Sequence, residues 1–554
     1  MKKFATYVAD GDALKGETDG AAKTSIRDRL WFIVLAVLLS SAFRFLMFPP
    51  VSLAELGYLF LLPLLLPDWS TRGFRSIIAW GWLAGFLFWF SSLIWLRHVT
   101  FAGTVGLAGI LAVFTATWLL IYGRWLQSSR SVWVPLTAAA LWVLLEWSRT
   151  WFLWGFPWNP VSVSQWNRPA VLSVASITGG WGLSFLLVWI NVALARWIIQ
   201  PFTKWREKGF LPYARQIPLM LVIPVGVLAF TSGWYFWNSV KRSPSAPIKV
   251  GLVQPYMTMK WEEGEIIENI RRLWDNTRAL GPGEADIILW PESSTPMPII
   301  GDEGMRNGIE WLSSEMEAPI LMGNMAFYRE EGVYENGIFL VDPLEGLNPV
   351  YYAKRELVPF GEYIPFRRFL PFLEKVVPIG MDCRPGSEPV LFPFPSNTAV
   401  GSEKIGALVC YEDSFPELAR SSVVAGADWL FVATNNVWYG EEAGAYQHAA
   451  HSVLRAAETR RPVLRSGNGG WSGWIDEWGH VRRAMTNEDG SIYFRGSELV
   501  TVERDLRFKD YQTPFVRFGN WFIYLCGLIF GLGFWFSKKA SRRVRRSSPR
   551  REML

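Results

Sequence analysis

The chain is 554 residues long, half of it hydrophobic, with 32 tryptophans and a formal net charge of +6. That length allows two or three domains with substantial cores, and the apolar, tryptophan-rich composition is high for a soluble protein. The charge argues against nucleic-acid binding: eight basic residues sit in "KKASRRVRRSSPRR" at 538–551, the remainder is close to neutral, and a basic tail directly after an apolar run reads as a cytoplasmic membrane flank. The three cysteines, Cys383, Cys410 and Cys526, include no CxxC pair, which argues against a disulfide framework or a structural zinc site.

The N-terminus is polar through Asp28 and lacks the features of a cleaved signal peptide, so the first span is expected to serve as an uncleaved one. Crossing a bilayer takes roughly 20 apolar residues. In chain order the candidates are Leu30–Met47, Leu56–Leu66, Ile77–Leu96, Ala102–Tyr122, Val134–Trp147, Leu183–Ile199, Pro218–Trp237 and Phe522–Phe536. Leu56–Leu66 is short and, taken alone, could be re-entrant. Charge asymmetry selects eight spans. With a cytoplasmic N-terminus, the cytoplasmic loops hold Arg72, Arg75, Arg124, Arg130, Lys204, Arg206, Lys208 and Arg215, while the opposite loops hold little beyond Arg97 and Arg168. Residues 240–510 then lie outside the cytoplasm. Glu146 and Arg149, three apart at the end of a span, share a helix face and should pair or turn into the bundle. An ion pair that fixes the helix explains them at least as well as contact with a lipid headgroup.

Beyond the "RSPSAP" linker at 242–247 the texture changes. "IKVGLVQ", "ADIILW", "APILMGN", "NGIFLVD", "IGALVCY" and "DWLFVATNN" read as buried strands, and helical patterns at Glu262–Leu280, Met305–Met316, Glu417–Ala425 and Ala445–Arg460 fall between them. This alternation predicts an α/β domain with a largely buried sheet. Its reactive candidates stand at strand ends: Glu292 in "ILWPESS", Lys354 and Glu362 in "YYAKRELVPFGEYIP", and Cys410 in "ALVCYED". A carboxylate can accept the thiol proton, and an ammonium can stabilise thiolate and oxyanion. Histidine is the usual partner of a reactive thiol, but only four exist. His98 falls in a membrane loop and His480 in "DEWGHV", while His448 and His451 share one helix as "QHAAH". A Cys–His pair through His448 and a metal on His448 and His451 are the competing readings; there is no HExxH and no obvious third ligand.

"WPES", the lysine of "YYAKRELVPFGEY" and "CYED" resemble the Glu–Lys–Cys signature of the nitrilase superfamily. Flanked by membrane spans, and together with "EWSRTWFLWGFPWN", "GGWGLSFLLVWIN", "ATNNVWYG", "RAAETRRPVLRSGNGG" and "TPFVRFGNW", the chain resembles the bacterial apolipoprotein N-acyltransferase family. The resemblance implies an αββα sandwich carried on an eight-span bundle in the inner membrane and facing the periplasm. Its boundaries would be a cytoplasmic segment at 1–29, seven spans within 30–240, a catalytic domain at 245–508, a last span at 509–537 and a basic tail at 538–554. It implies Glu292 as general base, Lys354 as oxyanion stabiliser and Cys410 as nucleophile, with Glu362, Tyr411, Glu412 and Trp261 around the pocket and neither metal nor cofactor. The implied donor is a phospholipid and the acceptor the N-terminal diacylglyceryl-cysteine of an apolipoprotein, with membrane lipids as surroundings and a monomer as the working unit. A membrane-anchored amidohydrolase using water as acceptor is the alternative. Two positions depart from the family pattern: Asn436 stands where aspartate is frequent, and Ser466, Gly467 and Asn468 replace a more usual segment.

Overall fold

The structure, a computed structural model, describes residues 26–129, 131–204, 217–257, 263–367, 369, 382–395 and 403–547. Trp261 lies outside the described residues, as do Arg130, Arg206, Lys208 and Arg215.

Among the described residues, five helices are long and apolar enough to cross a membrane: Phe74–Ser92, Phe101–Leu126, Gly180–Ile199, Met220–Ser239 and Trp521–Lys538. The shorter apolar helices Leu30–Leu46 and Val134–Ser148 pack among them. Small residues let two neighbours approach closely. A Cβ added at Gly81 or Gly85 would come within 2.9 and 2.8 Å of the Ala116 and Ala112 Cα atoms. The stretch expected as a span at Leu56–Leu66 is not one continuous helix; it forms a 3-10 turn at Ala54–Tyr58 and a single helical turn at Leu62–Leu65. Side chains of neighbouring segments answer its broken backbone. Asn191 Oδ1 accepts from the Leu61 N–H (2.9 Å), Asn191 Nδ2 donates to the Gly57 carbonyl (3.0 Å), and Ser40 Oγ donates to the Phe60 carbonyl (2.7 Å). Irregular backbone survives in apolar surroundings only when protein groups replace water in this way.

Glu146 and Arg149 are both buried and turn inward. Their nearest charged atoms are 3.9 Å apart; Glu146 Oε1 accepts from Trp142 Nε1 (2.9 Å) and from the Val161 N–H (2.8 Å), and Arg149 donates to the Trp158 carbonyl (2.9 Å). The pair holds the chain segment that follows its own helix.

The α/β half is a sandwich of two sheets. In one, the strands run in the order Gly496–Val502, Ile248–Gln254, Ile287–Trp290, Ile320–Tyr328 and Val333–Asp342, with the short Gly346–Leu347 and Tyr352–Ala353 both paired to the last. In the other the order is Val481–Ala484, Gly473–Ile475, Val463–Asn468, Trp429–Asn435, Glu403–Val409 and Leu391–Phe394. Strands Ile248–Gln254, Ile287–Trp290 and Ile320–Tyr328 pair in parallel, as do Glu403–Val409, Trp429–Asn435 and Val463–Asn468. Alternation along each strand builds the layers. Ile405, Ala407 and Val409 with Trp429, Phe431 and Ala433 face the inter-sheet core, whereas Leu408, Leu430 and Val432 face outward. Helices Glu263–Arg278 and Glu303–Met316 cover the first sheet, and Pro416–Val424 and Ala443–Thr459 cover the second. The second helical layer shares one continuous core with the apolar helices, so the sandwich rests on them through it.

Candidate active site

Parallel strands bring their carboxyl ends to one edge, where loops are free to carry chemistry. Cys410 follows strand Glu403–Val409 and opens the 3-10 turn Cys410–Ser414. Its φ of 54° lies in the left-handed region, which costs a non-glycine residue on the order of 1–3 kcal/mol and persists only when its surroundings hold it. Glu292 lies two residues beyond Ile287–Trp290. Gly323 makes room for it, since a Cβ there would stand 2.6 Å from the Glu292 Cα. Lys354 follows Tyr352–Ala353 directly.

The three side chains meet in a buried cluster. Lys354 Nζ donates to Glu362 Oε1 (3.0 Å) and Glu292 Oε1 (3.3 Å). Asn336 Nδ2 bridges the same two carboxylates, at 2.7 Å from Glu362 Oε1 and 2.9 Å from Glu292 Oε1. The Cys410 thiol stands beside the Glu292 carboxylate, with the Tyr439 hydroxyl as a further neighbour. Burial works against the Lys354 ammonium, but the carboxylates of Glu362 and Glu292 outweigh it and lift its pKa well above the ordinary lysine value. Burial, and then the Glu292 carboxylate, push the Cys410 thiol above its ordinary value, against the pull of Lys354. The resting sulfur is therefore a protonated thiol beside a carboxylate, not a preformed thiolate. With the base removed in Glu292→Gln, alkylation by iodoacetamide should keep rising from pH 7 to pH 9; a rate already level at pH 6 in that variant would mean a preformed thiolate.

Glu412 and Tyr411 are built as supports. Glu412 is fully buried, and its carboxylate accepts from the backbone N–H groups of Arg355 (2.7 Å), Glu356 (3.0 Å) and Val409 (2.7 Å) and from Tyr352 Oη (2.8 Å). It ties the lysine loop to the cysteine strand. Glu412→Gln must turn its amide nitrogen against donors, so it should lower stability by about 1–3 kcal/mol, seen as a fall in apparent Tm. An unchanged Tm with lost activity would move Glu412 from scaffold to chemistry. Tyr411 donates through its hydroxyl to the Leu357 carbonyl (2.9 Å), and Lys354 Nζ lies 5.8 Å from its ring centroid.

His448 does not serve as partner to the thiol. Its Nε2 lies 3.0 Å from the carbonyl oxygen of Cys410 and 3.1 Å from Asp413 Oδ1, and its Nδ1 lies 3.0 Å from Asn436 Oδ1. His451 faces elsewhere, its Nε2 accepting from the Asn159 N–H (3.4 Å). The two rings share no ligand position. Asn468 accepts from the Met257 N–H through Oδ1 (2.7 Å) and so anchors the chain leading toward Trp261. The sequence reading missed Asn336, Tyr439 and the clasp around His448. Asn336 carried a signal, a polar residue inside the apolar strand Val333–Asp342. Tyr439 carried none, since its place depends on Trp95 of the distant turn Ile94–His98, whose ring packs 4.3 Å away.

A thiol, a carboxylate and an ammonium at the carboxyl edge of an αββα sandwich define a carbon–nitrogen-hydrolase type of site. Residues 249–503 match the carbon-nitrogen hydrolase family model, and residues 40–193 match the apolipoprotein N-acyltransferase N-terminal domain. Over 519 residues the chain is 30% identical to the apolipoprotein N-acyltransferase of Geobacter metallireducens, covering 90% of this chain and 93% of that protein. It is 29% identical to the one of Shewanella oneidensis over 454 residues, 78% of this chain and 80% of that protein. An amidase of the nitrilase superfamily from Nesterenkonia AN1 aligns with 46% of this chain and 90% of its own, at 16% identity and a TM-score of 0.35. The chain belongs to the apolipoprotein N-acyltransferase family, within the nitrilase superfamily.

Proposed function

We propose that this protein moves a fatty acyl chain from a phospholipid, through a thioester on Cys410, to the α-amino group of an N-terminal S-diacylglyceryl-cysteine. The observation that carries the reading is the buried Cys410–Glu292–Lys354 cluster on a chain whose other half is apolar helix. Glu292 takes the thiol proton as Sγ attacks the ester carbonyl. Lys354 and the backbone N–H of Tyr411 hold the oxyanion of the tetrahedral intermediate. Its collapse expels the lysophospholipid alkoxide, which receives the proton from Glu292 and leaves the thioester behind. The acceptor amine then attacks the thioester carbonyl, Glu292 removes its proton, and the departing thiolate is reprotonated. Glu362 and Asn336 keep Glu292 and Lys354 in register, while Tyr411 and Glu412 frame the turn, and Trp261 belongs to the pocket wall. Both substrates carry acyl chains, so chemistry at a membrane surface suits them.

In this reading eight segments cross the inner membrane, the broken stretch at 54–65 being one of them, since its backbone is satisfied within the protein. Residues 1–29 and 538–554 are cytoplasmic, 30–240 hold seven spans, 245–508 form the periplasmic catalytic domain and 509–537 the last span. One chain supplies the whole cluster and acts as a monomer. Ser387 is exposed, so Ser387→Cys should react with an impermeant thiol reagent in cells whose outer membrane alone is permeabilised. Protection there would reverse the topology. The acceptor is tested with labelled phospholipid and a diacylglyceryl-cysteine peptide. Label should move to the peptide amine, whereas release of free fatty acid without acylated peptide would favour an amidohydrolase that uses water.

A further inference from the structure

We propose that His448 is a positioning residue that aims the oxyanion-binding N–H of Tyr411 by holding the carbonyl on the other side of the same peptide bond. The inference rests on the reading of Cys410 as nucleophile given above. A trans peptide is planar, with its C=O and N–H pointing in opposite directions. Whatever fixes the Cys410 carbonyl therefore fixes where the Tyr411 N–H points. That carbonyl lies 3.0 Å from His448 Nε2, whose N–H donates to it, in a residue whose φ of 54° is not self-maintaining.

The imidazole is itself held from several sides. Asp413 Oδ1 lies 3.1 Å from Nε2, and the other Asp413 oxygen accepts from Arg465 Nη1 (2.5 Å) and Ser452 Oγ (2.6 Å). Asn436 Oδ1 stands 3.0 Å from Nδ1. His448, Asp413, Asn436, Ser452 and Arg465 are all completely buried. Burying this many polar and charged groups is costly and is offset only by their pairing and hydrogen bonds, which fix the imidazole in one geometry. The remaining side of the ring belongs to the membrane half. The Trp158 ring packs 5.4 Å from His448, its Nε1 donates to Gln447 Oε1 (2.9 Å), and Arg149 donates to its carbonyl (2.9 Å). A contact path thus runs from the inward-turned Arg149 through Trp158 and His448 to the peptide that follows the nucleophile. The helical half acts on the chemistry by this path, as well as placing it at the membrane.

Positioning and mere structural support separate in a two-reaction test on the full-length protein. Acylation of Cys410 by phospholipid needs the oxyanion donor; alkylation by iodoacetamide, a displacement at saturated carbon, needs only the thiol and its base. A glutamine amide nitrogen can occupy the place of Nε2, whereas the shorter asparagine amide reaches only that of Nδ1. His448→Asn should slow single-turnover acylation on the order of a hundredfold, the scale of losing one oxyanion donor, with the alkylation rate unchanged. His448→Gln should stay within about threefold of wild type for both reactions, because the bond to the carbonyl is kept. Trp158→Leu, which leaves the histidine in place, should repeat the split at roughly tenfold, as a loosened positioning contact does. Equal acylation by His448→Asn and wild type would overturn the proposal. So would a parallel loss of acylation, alkylation and Tm in both histidine variants. A wild-type protein that reacts with iodoacetamide but never with phospholipid would instead refute the acyl-transfer reading.

Discussion

Glu292→Gln should abolish acylation of Cys410, with a loss on the order of 10²–10⁴ in rate, the range general-base catalysis supplies. The amide can still accept from Lys354 and Asn336, which lie 3.3 and 2.9 Å from Oε1, so the cluster should stay assembled. It cannot take a proton. Because burial raises the thiol above its ordinary pKa, little thiolate forms without the base. The check is the burst of lysophospholipid released per enzyme in a single turnover. A wild-type burst in this variant would mean that another group deprotonates the sulfur.

Lys354→Arg should fare almost as badly despite keeping the charge, losing about a hundredfold or more. Lys354 is fully buried and presents a compact ammonium to two carboxylates at 3.0 and 3.3 Å. A guanidinium is planar and larger. It would lie flat against Glu362 and Glu292 in bidentate fashion and direct no donor at a tetrahedral oxyanion. The measurement is kcat with the phospholipid donor at saturating acceptor. Wild-type turnover would remove the ammonium from the transition state and leave Lys354 only the task of neutralising two acids.

Much of this site was legible because each member ends an apolar strand in a short motif of its own. Glu292 follows "ILW", Cys410 follows "GALV", and Lys354 follows "YYA". The strands themselves were readable from β-branched runs, and the helices between them from their period. What escaped is held by partners far off in the chain. The Leu56–Leu66 stretch looks like a short span, yet its form depends on Asn191, 130 residues from Leu61. Tyr439 sits on the thiol because Trp95 packs behind it, and the exposed pair of Arg97 and Glu442 joins the same two loops. The sequence offers His448 as a base for the thiol because it shows that a histidine exists, not which atom of Cys410 it faces. Asn436 looked like a departure from the family and proves to be a neighbour of that imidazole.

The central claim is a covalent acyl intermediate on one sulfur, and the most direct measurement is intact-protein mass spectrometry after incubation with phospholipid and no acceptor. The wild type should gain the mass of one acyl chain, mapped to Cys410, released by neutral hydroxylamine, and transferred to the amine when a diacylglyceryl-cysteine peptide is added. Cys410→Ala should gain nothing, since of the three thiols only Cys410 directly precedes the Tyr411 N–H and has Glu292 as its base. An acyl adduct that persists in Cys410→Ala, or a wild type that acylates the peptide without ever carrying the chain, would contradict the account.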